Sequence, residues 1–500
     1  MCLRVSTLQI RPYVWTNDTA LNLEEGHMTV EFEAARLGPI LYYRGLKGDA
    51  LQVAAMVLLP IGEEPDLLEV GDAQHRPKLL REIGRNAIWR YDFTLTQSNG
   101  TYHLGDQSYS VQTDLTGDMR IAFASCNGEE EGDLDRDQEE RNLMWAHMCD
   151  EHRRAPFALL LQGGDQIYAD EATQGHPLSE DWPDKVDRPR NAEELEDLAE
   201  HLRQRFAERY VQALFGEAPR WIMARVPTLA IWDDHDICDG WGSLYRSKTY
   251  SEVGQRLYRV AREMYLLFQH AAIEADIPDL FLDKTGTSLS WQRALPGVTL
   301  LAPDLRAERG RRQVMGAYGW SATEAMEPGT EHTFLISSVP LLGPRLSLVE
   351  GLMMMIPTMQ KYEDDLRDQW QSRAHRDEWV RMLKQVLKWR ETAPVTVLSG
   401  EIHLATRAEM GPDEMRVHQL VASGIAHRAP PQGYARSLGT LAGLGDAPVS
   451  GHPIRIHPLP GQKHRYTAER NYLELRRTGG TWHAVWHLED SGDTEPMALE

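Results

Sequence analysis

Four stretches of this chain share one construction, an apolar run that stops abruptly at side chains able to hold a metal ion. They are MRIAFASCN at 119–127, FALLLQGGDQIYAD at 157–170, PTLAIWDDHDICDGWGS at 227–243 and APVTVLSGEIHLATRAEM at 393–410. A short apolar run bounded by glycine and polar residues reads as a buried strand. Strands of this kind, separated by helices, build α/β cores in which ligands collect beyond the strand carboxyl ends.

The intervening segments carry the helical pattern: QEERNLMWAHMCDEHRR, AEELEDLAEHLRQRFAERYVQALF, EVGQRLYRVAREMYLLFQHAA and EDDLRDQWQSRAHRDEWVRMLKQVLKWRE. Residues 1–117 differ. They alternate short apolar runs (MTVEFEA, YYRGL, LQVAAMVLLP) with turn residues, and the SNG and LGD turns in YDFTLTQSNGTYHLGDQSYSVQT predict hairpins. The expectation is a β-rich accessory domain at 1–117 in front of the chemistry-bearing domain at 118–500, as 500 residues exceed what one core usually serves.

Each strand end offers its own donors. Gly163 and Gly164 permit close backbone approach, and Asp165 and Tyr168 follow them. Asp233, Asp234, His235, Asp236 and Asp239 crowd one turn, where adjacent anions raise one another's pKa values unless a cation neutralises them. Glu401 and His403 alternate at a strand end, and Cys126 sits beside Asn127. Which of Asp234, Asp236 and Asp239 binds metal is open from sequence. So is whether the loop histidines His176 and His427 face the cleft.

Charge narrows the partners. Lys and Arg number 53 against 75 Asp and Glu, a net −22 that repels polyanions, so duplex nucleic acid is excluded and a small phosphorylated substrate fits only if cations invert the local field. The run EEEGDLDRDQEER at 129–141 reads as a solvated loop leading into a helix. No membrane span, export signal or CxxC pair is evident among the four cysteines, which favours the cytoplasm. No GxSxG, HExxH or Walker A segment occurs, which disfavours other hydrolase mechanisms. Oligomeric state is not readable.

Taken in order, ASCN, GDQIY, DDHD, PDLRAER and SGEIH, spread over residues 119 to 430, resemble the alkaline phosphatase D (PhoD-like) branch of the calcineurin-like metallophosphoesterases. The resemblance implies a four-layer αββα core, two packed sheets flanked by helices, with a β-rich domain in front. It implies a two-metal site, ferric iron with calcium, with Mn²⁺, Mg²⁺ and Zn²⁺ as other candidates for the divalent ion. By the same resemblance Cys126, Asp165, Tyr168 and His403 match the iron ligands, Asp165 bridges to the second metal, and Asp234 and Glu401 serve that second metal. Glu401 stands where the branch usually has aspartate. His235 matches the catalytic histidine, and Asn127 and Arg306 are assigned to substrate, Arg306 alternatively pairing with Asp304. Cysteine and tyrosine, with ordinary pKa values near 8.5 and 10, both ligate only a strongly Lewis-acidic ion such as Fe³⁺. The expected activity is hydrolysis of phosphate monoesters or diesters. The rival is a non-catalytic metal- or phosphate-binding scaffold whose second site has degenerated.

Overall fold

The computed structural model describes residues 32–344, 368–443 and 445–500, and the chain over these residues is mixed α/β. The run MTVEFEA and the start of the fourth helical pattern lie partly outside the described residues, and Cys2 wholly so. The four predicted strands form, as Met119–Ala124, Leu159–Gly163, Thr228–Ile231 and Val395–Ser399. Every residue of each is buried, the pattern of parallel strands covered on both faces.

The first three lie side by side and parallel in an eleven-stranded sheet, with Leu160 opposite both Ala122 and Thr228. The fourth lies parallel between Thr333–Ser337 and Val417–Val421 in an eight-stranded sheet. Period-two alternation splits the second sheet's side chains. Leu300, Phe334, Ile336, Leu398 and Leu420 join the large core shared with the first sheet. Leu301, Leu335 and Val397 turn the other way, against Trp379, Leu383 and Val386 of the helix Arg376–Arg390. The helices Ala192–Phe215 and Glu252–His270 pack on each other and touch strands of the first sheet.

The early strands are β-rich as expected. Leu37–Lys47 pairs parallel with Thr228–Ile231 at Tyr42 and Thr228, and Ala50–Pro60, Asn86–Leu95 and Lys78–Ile83 extend the same sheet outward. The LGD turn joins the hairpin Thr101–Leu104 and Gln107–Ser110, part of a separate four-stranded sheet. The SNG turn closes only an isolated bridge between Thr96 and Asn99, and the strands around it enter different sheets. At the opposite edge the C-terminal strands Asn471–Thr478 and Thr481–Leu488 pair next to Met119–Ala124.

Candidate metal centre

The strand ends converge through unusual backbone. Among the described residues, five that are not glycine have left-handed φ: Cys126 (54°), Asp165 (56°), Glu401 (66°), His403 (54°) and Ala271 (42°). Ala271 ends a helix, whereas the other four stand on the strand tips. Such conformations cost roughly 1–2 kcal/mol each and cluster where a site over-determines them. The tips are held by hydrogen bonds from Cys126 N to Gly164 O (3.2 Å), Asn127 N to Asp165 O (2.8 Å) and Gly424 N to Ser125 O (3.3 Å), while the Ser423 hydroxyl accepts from His403 N (2.8 Å). Two glycines make the approach possible. A Cβ on Gly164 would lie 2.8 Å from that of Asp233, and one on Gly400 would lie 2.3 Å from Ser125 Oγ.

The convergence produces two groups of donors that share Asp165. In the first, one ligand atom each of Cys126, Asp165 and His403 lie within 4.8 Å of one another, and in the second the same holds for Asp165, Asp233 and Asp234. Tyr168 joins the first through its hydroxyl, 2.9 Å from His403 Nε2. Asp165 Oδ2 is 3.5 Å from Cys126 Sγ, whereas Asp165 Oδ1 and Asp233 Oδ2 are buried without a hydrogen-bond partner. Buried carboxylate oxygens of that kind suit a cation, so the donor set fits metal. The first group mixes sulfur, imidazole and phenol with one carboxylate. The second is all carboxylate, the preference of a hard cation.

Titration follows the same logic. Burial first, and then the Asp233 charge, push the Asp165 carboxyl well above the usual carboxylate range. Burial and Asp165 raise the Cys126 thiol, burial and Cys126 raise the Tyr168 phenol, and burial raises Asp233 against the pull of Arg306. Burial, with His427 beside it, holds His403 well below an ordinary histidine. A bound cation inverts this field by favouring the deprotonated form of every one of these groups.

His235 lies outside the two groups that share Asp165. Its Nδ1 lies 3.0 Å from both oxygens of Asp170, and its ring stacks on Tyr168 at 4.3 Å between centroids. Burial alone would depress it, but Asp170 and then Asp234 raise it well above the ordinary histidine value. Asp170 therefore fixes Nδ1 and leaves Nε2 for chemistry.

Other expected residues are placed differently. Asn127 ties its side chain to the scaffold, accepting from Trp145 Nε1 (2.8 Å) and donating to Gln166 O (3.3 Å). Arg306 is fully buried and grips Asp233 and Asp368, with Asp234 at 3.3 Å. It faces neither open solvent nor Asp304, which instead accepts from Arg306 N, Ala307 N and Trp232 Nε1. Glu401 belongs to none of the donor groups among the described residues, and Gln369 Nε2 donates to both its oxygens at 2.7 and 2.8 Å. Asp236 accepts from the backbone N–H of Asp165, Gln166, Ile167 and Asp233 and so organises the loops. Asp239 groups with Asp234 and His235 at the outer side, its carboxyl pushed up to about 6 by burial. His176 pairs with Asp197 (3.2 Å), whereas His427 stacks on His403 with centroids 3.4 Å apart and approaches Glu130 at 3.4 Å. The acidic run is thus partly built in: Asp133 is buried between Arg136 and Arg141. Sequence reasoning missed Asp170, Ser423 and the distinct part of Asp233. Only the Asp-rich turn hinted at the last.

Residues 120–363 match the family of PhoD related phosphatases. An uncharacterized protein of Saccharomyces cerevisiae, YGR266W, is 25% identical over 423 residues, covering 69% of this chain and 60% of that protein. The chain thus spans about 60% of the length of this curated relative. The solved structure of PhoD matches with a TM-score of 0.52 at 12% identity, covering 96% of this chain and 90% of that one, a likeness of fold.

Proposed function

We propose, from the premise that residues 120–363 are those of a PhoD-like phosphatase, that this chain hydrolyses phosphate esters with two cations that the two donor groups sharing Asp165 would hold. The observation that carries this reading is the membership of Asp165 in both donor groups, with one of its oxygens unpartnered. Cys126, Tyr168 and His403 would hold an ion that tolerates thiolate and phenolate, ferric iron being the best match. Asp233 and Asp234 would hold a hard divalent ion such as calcium, Asp233 taking the part expected of Glu401. The reading includes a four-layer αββα core, residues 1–117 as accessory to the site, and a reducing, cytoplasmic setting. The buried free Cys126, Cys149 and Cys238 suit that setting.

Held by Cys126, Asp165, Tyr168, His403, Asp233 and Asp234, two such cations would supply Lewis acidity toward the phosphate oxygens and the attacking water. His235, held through Nδ1 by Asp170, is placed to donate a proton from Nε2 to the leaving oxygen. General acid catalysis of this kind contributes about 10² to 10⁴, or roughly 3–5 kcal/mol. The uncatalysed barrier calls for about 20 kcal/mol, so most of the reduction falls to the electrostatics of the cluster. Arg306 acts through Asp233, aiming its free oxygen, and Asn127 acts through the loop that carries Cys126.

Metal analysis with a visible spectrum, followed by assay of the same sample on p-nitrophenyl phosphate and bis(p-nitrophenyl) phosphate, tests the proposal. Near-stoichiometric iron or another transition metal and turnover of at least one ester are expected. Full occupancy with no turnover on either would leave the scaffold reading standing instead.

A further inference from the structure

A second set of donors lies away from this centre, where the C-terminal hairpin meets the helix Leu143–Arg154. One ring nitrogen each of His147 and His487 and one oxygen of Asp493 lie within 4.8 Å of one another. They come from three elements: the helix, the strand Thr481–Leu488 and the short strand Gly492–Asp493. The rings are 5.3 Å apart between centroids.

The surroundings orient these donors. His487 Nδ1 points to Asp493 (2.7 Å), and its Nε2 faces Glu474 Oε2 (3.3 Å). Glu474 is fully buried and locked by Arg120 and Arg476, so its carboxylate holds the ring in one orientation. A carboxylate behind the far nitrogen of a histidine is the usual support of an imidazole ligand, fixing which nitrogen is left for the metal. Tyr472 steadies the other ring, its hydroxyl 3.0 Å from His147 Nδ1. Asp493 is half exposed, which gives an ion a path in from solvent and leaves room for water in a fourth position.

We propose that His147, His487 and Asp493 form a second, non-catalytic transition-metal site, with Zn²⁺ as the ion their two imidazoles and one carboxylate suit best. Its effect is to tie the C-terminal hairpin to the helix. Trp145 of that helix holds Asn127, the neighbour of Cys126, so the tie also steadies one wall of the catalytic cleft.

The experiment uses full-length protein with its catalytic metals in place, titrated calorimetrically with ZnCl₂ and melted with and without it. One further equivalent of zinc and a rise in Tm are expected. His147→Ala and Asp493→Asn should each weaken that binding at least about tenfold and remove the Tm rise, while ester hydrolysis measured without added zinc stays unchanged. Cys126→Ser should leave the zinc equivalent intact while lowering the catalytic metal content, which separates this site from the first. Absence of the extra equivalent, or zinc affinity equal to wild type in both His147→Ala and Asp493→Asn, overturns the assignment.

Discussion

Asp133 and Asp165 are both buried carboxylates on loops that leave strands of the first sheet, and the fold treats them in opposite ways. Asp133 is clasped by Arg136 (3.1 Å) and Arg141 (3.0 Å). Asp165 has acids for neighbours and one oxygen with no partner. Beyond Asp233, Arg306 and Arg309 neutralise Asp368 and Arg306 also pairs with Asp233, so cationic side chains are at hand and pair with these acids rather than with Asp165. An isolated buried anion is too costly to keep charged, so the chain either pairs it or leaves it for an external cation. The difference separates acids that hold the fold from acids that, on the proposed reading, are kept for metal.

The comparison is sharpened most by Asp165→Asn. Turnover should fall by about 10³ or more, some 4 kcal/mol of barrier, and metal content should fall with it. In chelated protein above the ordinary carboxylate pKa the same variant should melt higher than wild type, because folding no longer has to bury a carboxyl whose charged form burial and Asp233 disfavour. Activity equal to wild type would break the division at its centre. His235→Ala should cut kcat by about 10² to 10⁴ with metal content intact, measured by steady-state kinetics and metal analysis on one sample. Asp170→Asn should cost less, about ten- to a hundredfold in kcat, since it removes only the group that orients His235.

Asp133→Asn is the converse test. It leaves two buried guanidiniums short of a partner and should destabilise the chain by about 3 kcal/mol in denaturant unfolding. Activity per folded molecule should stay within about twofold, an effect too small to register as a lost transition-state contact. A large kcat effect there would mean that the two acids are not different in kind. Glu401→Gln should change least, with metal content unaltered and kcat shifted by less than about twofold, because Glu401 lies outside the donor groups and is held by Gln369. Loss of a metal in that variant would restore Glu401 to the donor set.

Much of this was legible in the chain. The buried strands and the helices 143–154, 192–215 and 252–270 follow from apolar period and length, which depend on neighbours in sequence. That Cys126, Asp165, Tyr168, Asp234 and His403 stand where apolar runs stop was legible for the same reason, whereas their proposed part as ligands came from the family resemblance. The hairpin predicted at SNG was not realised, because pairing across that turn lost to pairing of its two flanks in different sheets. The early β-rich stretch was visible as strands, but its hydrogen bonding onto the Thr228–Ile231 strand was not.

Sequence alone determined which kinds of donor stand at which strand ends, because a strand and its terminating turn are local events. Tertiary structure decided which carboxylates remain free. Asp233 and Asp234 are adjacent and chemically identical, Arg306 reaches both, and they are told apart by Ser338, which lies 105 residues beyond Asp233 and donates to it. Glu401 is withdrawn by Gln369 and His235 is aimed by Asp170. Each of these outcomes rests on a hydrogen bond across the fold, whose partner no local pattern specifies.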